Sequence, residues 1–193
     1  MARLNHVASF RGTTKTESGN LTCGRCGEPI RKGDSYRWWK NKTSRGGIRH
    51  NRCMKPDCKP MPWEYQTTSP HIAGLMQAEH YGQEAVSKVP LDVNSIVEDL
   101  TQAVQGVGEN VREVAEGYRE SAENMESGFG HETEQSMELN DRADELESQA
   151  DELESWDPSD DEPPEEVDER EGWMDSLIEE ASEAISTGTE MPY

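Results

Sequence analysis

The chain has 193 residues, of which 32% are hydrophobic and 6% aromatic, and it carries a formal net charge of −21. So polar a composition cannot bury one large core, and it predicts small modules joined by loose chain. No run approaches the eighteen or more apolar residues that a membrane span needs, which predicts a soluble protein with no membrane contact.

The charge is divided along the chain. Residues 1–63 carry 14 Lys/Arg and 4 Asp/Glu, a net of +10, whereas residues 64–193 carry 5 and 36, a net of −31. A basic head suits an anion such as nucleic acid. The acidic remainder stays solvated, repels polyanions or offers itself to a basic partner.

Residues 1–20 read as a flexible N-terminus. They lack the apolar core of a secretory signal, which points to the cytoplasm and to reduced thiols. The basic module at 21–65 contains Cys23-x-x-Cys26 and Cys53-x4-Cys58. Two close thiol pairs are what a tetrahedral Zn2+ ion demands, and Gly24 and Gly27 let the first pair turn tightly. His50-x-x-Cys53 also has ligand spacing, so a Cys3His site using His50 stands beside the preferred set of Cys23, Cys26, Cys53 and Cys58. Between the pairs, the turn-like Lys32-Gly33-Asp34 leads into an aromatic-rich strand, Ser35 to Lys40. A second strand follows a turn at Arg45-Gly46-Gly47, giving a small zinc-bound β-hairpin of ribbon or knuckle type.

Strand alternation puts Tyr36, Trp38 and Lys40 on one side and Arg37 and Trp39 on the other. One aromatic set is expected over the metal. The other, with Trp39, is free to stack a base while Arg37, Lys40, Lys42, Arg45, Arg49 and Arg52 meet phosphates. In so small a module the same rings can instead be its core.

Cys23-x-x-Cys26 with Ile30, Lys32-Gly33 and Arg37, followed by His50-x-x-Cys53, resembles the zinc fingers of poly(ADP-ribose) polymerases, which recognise DNA breaks. Here the gap before His50 is shorter and Cys58 is additional. The segment Tyr36 to Lys40, the Cys-Met-Lys-Pro-x-Cys turn from Cys53 to Cys58 and the run at 121–131 are together similar to small actinobacterial-phage proteins. That likeness implies a host-cytoplasmic setting and a zinc finger followed by an acidic helical region. It implies no activity.

Pro60, Pro62, Pro70 and Pro90 mark loose chain from Lys59 to about Leu91, with the linker at 66–92, in which Ile72 to Met76 can form a short helix or pack onto the head. Ser95-Ile-Val-Glu98 then resembles a capping box. Val97, Leu100, Val104, Val107, Val111, Val114, Tyr118 and Met125 recur in three- and four-residue steps, interrupted at Ser121. Gly128-Phe129-Gly130 breaks the pattern, and Leu139, Ala143, Leu146, Ala150 and Leu153 resume it through the tandem heptads ADELESQ and ADELESW. Residues 93–156 therefore predict an acidic α-helical hairpin. The alternative, a self-associating coiled coil, is opposed by ten acidic residues against Arg142 alone between Glu132 and Glu154.

Residues 157–172 are acidic and proline-interrupted, which predicts a disordered linker. In 173–187, Trp173, Leu177, Ile178, Ala181 and Ile185 lie opposite Asp175, Glu179, Glu180 and Glu183 on a short amphipathic helix. It either docks in a basic-rimmed groove or folds back onto the hairpin.

There is no phosphate-binding glycine loop, nucleophile elbow or His-Glu metal motif, and zinc with four thiolates has no open position. The expectation is a non-enzymatic interaction protein without a small-molecule substrate. In one reading the basic zinc module contacts DNA or RNA while the acidic helical tail contacts a basic protein partner or tunes binding. In the other the chain is a protein-binding adaptor, or an acidic nucleic-acid mimic that occupies a host factor, and zinc is purely structural.

Overall fold

The computed structural model describes residues 4–9, 21–40, 48–158 and 163–191, and the chain divides into two units, residues 1–73 and 74–193. A small β-sheet region with the four cysteines clustered comes first, and a mostly helical part follows.

In the first unit, β4 (Tyr36–Lys40) lies between β1 (Asn5–Val7) and β5 (Arg49–Cys53), both antiparallel to it. The expected hairpin is β4 with β5, in a register running from Tyr36 opposite Cys53 to Lys40 opposite Arg49. The turn proposed at 45–47, with Lys42 and Arg45 around it, lies outside the described residues. β1 corrects the reading of 1–20 as a flexible terminus, since Asn5, His6 and Val7 pair with Trp38, Arg37 and Tyr36. The second edge of β4 needs a partner for its backbone groups, and Val7 adds apolar surface to a small core. Residues 10–20 lie outside the described residues.

Directly opposed residues share a sheet face. Val7, Tyr36, Trp38 and Cys53 thus face one way, toward the two-residue strands β2 (Leu21–Thr22) and β3 (Pro29–Ile30), whose Leu21 and Ile30 form a core with Tyr36. His6, Arg37, Trp39, His50 and Arg52 face the other way. A short helix, α1 (Pro62–Gln66), lies against that second face through Glu64 and Tyr65.

The helical part corrects the linker reading of 66–92, because α2 (Pro70–Val86) runs through most of it. The prolines that suggested loose chain stand at helix starts, Pro62 and Pro70, or beyond a helix end, Pro90, where a missing N–H costs nothing. Leu75, Ala78 and Val86 are buried in the helical core. A Cβ on Gly82 would lie 2.4 Å from Cγ2 of Val107, so glycine is what lets α2 approach so closely.

The hairpin is α3 (Ile96–Phe129) and α4 (Glu134–Glu154). Pairing of Arg112 with Asp151 and Glu154, and of Arg119 with Asp144 and Glu147, runs in opposite senses along the two helices and makes them antiparallel. Leu100, Val104, Val107, Val111 and Tyr118 are buried as the repeat predicts, against Ala143, Leu146, Ala150 and Leu153. The step interrupted at Ser121 is filled by buried Ala122, while Val97 and Val114 are only half-buried. Gly108 sits at the close approach, where a Cβ would be 3.0 Å from the Ala150 carbonyl oxygen.

The capping box expected at Ser95 is absent. The Ser95 side chain makes no cap hydrogen bond, and the Asp92 carbonyl accepts from the N–H groups of Ser95 and Ile96 instead. A reciprocal cap does occur at α4, where Thr133 Oγ1 accepts from the Ser136 N–H at 3.0 Å and Ser136 Oγ accepts from the Thr133 N–H at 2.9 Å. Gly130, at φ +74°, ends α3 in the left-handed region that favours glycine.

The last helix, α5 (Val167–Gly188), starts six residues before the predicted 173, so disorder does not extend through 172. Residues 159–162 lie outside the described residues. Met174, Leu177, Ala181 and Ile185 are buried with α3 and α4, which is the fold-back arrangement. Among the described residues no helix is long and apolar enough to cross a membrane.

Candidate metal centre and basic hairpin

Cys23 follows β2 in a tight loop. Its N–H donates to the Glu28 carbonyl and its carbonyl accepts from the Gly27 N–H, both at 2.9 Å, with Gly27 at φ +71° turning the chain back into β3. This brings Cys26 beside Cys23. The Gly24 N–H donates to the Asn51 carbonyl at 2.9 Å and so ties the loop to β5, whose last residue is Cys53. A single 3-10 turn, Pro56–Cys58, then brings Cys58 back.

The four sulfurs lie within 4.8 Å of one another, and Cys26 Sγ is 3.9 Å from Cys53 Sγ. A tetrahedron with metal–sulfur bonds of about 2.3 Å has sulfurs about 3.8 Å apart, so the donor set fits a metal ion. Cys23 and Cys58 are buried, Cys53 is half-buried and Cys26 is exposed.

Their ionisation is uneven. Burial resists loss of the Cys23 proton, but the backbone N–H groups of Cys26, Cys53 and Arg25 outweigh it and bring the thiol down to about 6. Burial, and then hydrogen bonding among the neighbouring thiols, pushes Cys58 up to about 12. Burial also raises Cys53. Four sulfurs this close cannot all be thiolates by themselves, and a bound cation is what would hold them so.

His50 lies elsewhere. Its ring stacks on Trp39 at 5.1 Å between centroids and 15° between planes, so the cluster takes Cys58 and not His50 with the other three cysteines. Lys55 and Glu28 pair at 2.6 Å between the two loops, although both are more than half exposed and the bond contributes little.

The residues proposed to meet nucleic acid separate into two groups. Trp39 is 1% exposed, and its Nε1–H donates to the Glu64 carbonyl at 2.8 Å. It is therefore a core ring, which corrects its assignment as a stacking platform. Arg52 is also committed inward, with its side chain 11% exposed, Nη2 2.7 Å from Glu64 Oε1, and its guanidinium over Trp39. Arg37 is half-buried, and its Nη1 has no hydrogen-bond partner among the described residues. Lys40 and Arg49 are exposed and directly opposed at the end of the β4–β5 pair from which residues 41–47 continue. Lys42 and Arg45 fall between them, outside the described residues.

Sequence reasoning missed Trp38 and Glu64. Alternation separates the two tryptophans, but only α1, whose Glu64 is 25 residues beyond Trp39, decides which ring is covered. No family model matches the sequence, and neither the curated proteins nor the solved structures contain a match.

Proposed function

We propose that the chain is a non-enzymatic interaction protein whose zinc-clamped head contacts nucleic acid through the Lys40–Arg49 end of the β4–β5 hairpin. In this reading Zn2+ on Cys23, Cys26, Cys53 and Cys58 is structural, since four thiolates leave no position for substrate. The acidic helical unit meets a basic protein partner or tunes the head's binding.

One observation carries the nucleic-acid reading. Residues 35–56 contain seven Lys/Arg and no Asp/Glu, and within them Lys40 and Arg49 stand opposite each other. Like charges directly opposed on a sheet are destabilising, and among the described residues neither has a carboxylate partner. A phosphate backbone relieves that repulsion.

The test is fluorescence anisotropy of the full-length chain on labelled oligonucleotides over a range of salt. Binding should weaken steeply with salt, and Lys40→Ala with Arg49→Ala should reduce the log–log slope by about 0.7–0.9 for each phosphate that is no longer neutralised. If no probe binds even at low salt, the adaptor or mimic reading replaces this one.

A further inference from the structure

Arg49 is exposed at the start of an edge strand, with its Cζ 4.4 Å from the centroid of the Trp38 ring. Its Nη2–H donates to Tyr36 Oη at 2.8 Å and its Nε–H donates to Asn51 Oδ1 at 3.1 Å. Guanidinium N–H groups lie in the plane of the group, so these two bonds fix how the plane lies. The guanidinium lies over the indole, and Arg49 as a whole is exposed.

A fixed cationic plane backed by an aromatic ring is a stacking surface for a nucleobase. Lys40 stands directly opposite on β4, with its Cβ about 5 Å from that of Arg49, so its flexible side chain can bring an ammonium beside the guanidinium. A base and its adjoining phosphate would thus find complementary groups side by side. A duplex keeps its bases stacked on one another and presents only their edges, so it could use the charge of Lys40 but not the plane of Arg49.

We propose that the head is a site for single-stranded nucleic acid, with an unpaired base stacked on the Arg49 guanidinium over Trp38 and the adjoining phosphate held by Lys40. This rests on the nucleic-acid reading above and names the ligand class within it. Trp38 supports the stack from beneath and is a positioning residue.

The test uses the full-length chain with three labelled probes at one salt concentration: oligo-dT, oligo-U, and a DNA duplex of the same length. Both single strands should bind more tightly than the duplex. Arg49→Lys keeps the charge and removes the plane, so it should weaken single-strand binding about tenfold and leave duplex binding unchanged. Lys40→Ala should weaken all three alike. If Arg49→Lys leaves single-strand binding unchanged, or the duplex binds as tightly as the single strands, stacking is overturned while the nucleic-acid reading stands. If none of the probes binds, both fall.

Discussion

At the scale of single residues, the two neighbouring tryptophans show how little separates a fully enclosed ring from a part-exposed one. Trp39 is enclosed by His50, Tyr65 and Arg52, whereas Trp38 shares its face with Arg49. Trp39→Ala would leave a cavity and an unpaired Glu64 carbonyl, and should destabilise the head by about 3–5 kcal/mol, read from zinc release during denaturant titration. Trp38→Phe should cost less. Purified protein should contain one zinc per chain. Cys58→Ser should lose it and His50→Ala should keep it, as metal analysis will show. The cysteine pairs were legible in the sequence because metal ligation is written in local spacing. The fate of Trp39 was not, because it depends on a backbone carbonyl at Glu64, 25 positions away.

Among the elements, α3 and α4 were legible because a three-and-four repeat specifies a helix and its buried stripe together. Val107, 2% exposed, lies where α2 meets α3. Val107→Asp should cost several kcal/mol and abolish cooperative melting of the helical signal by circular dichroism. Thr133→Ala removes the α4 cap and should cost about 1 kcal/mol in the same measurement. What hid α2 was its weak stripe: its buried positions, Leu75, Ala78, Gly82 and Val86, include a glycine and an alanine that carry little hydrophobic signal. Small residues pack there because the neighbouring helices come so near. The ion pairs add a pH dependence of known sign. Hydrogen bonding to Arg119, and then its charge, hold the Glu147 carboxyl below the usual 4.5. Its contribution is therefore present above 4.5 and lost as the pH falls through the lowered value. Glu147 is 39% exposed, so screening keeps the effect small. The stability difference between the parent chain and Arg119→Gln should shrink from about pH 7 to about pH 3.

For the whole molecule, the division into a +10 head and a −31 remainder predicts that the acidic remainder competes with any polyanion for the head. Tethered carboxylates act at high effective concentration, so residues 1–73 alone should bind oligonucleotides more tightly than the full chain, with the gap closing as salt rises. Equal affinities in anisotropy titrations at low salt would remove the competition. Within the head, the β4–β5 hairpin has one further consequence. Four thiolates around a divalent zinc leave a net charge of about −2, which would repel a phosphate brought close. Cys53 and Arg49 occupy opposite ends of β5, four residues or about 13 Å apart along the strand. At physiological ionic strength the screening length is about 8 Å, so with zinc bound the strand would act as a spacer that weakens the repulsion between the anionic clasp and a phosphate at Lys40 and Arg49.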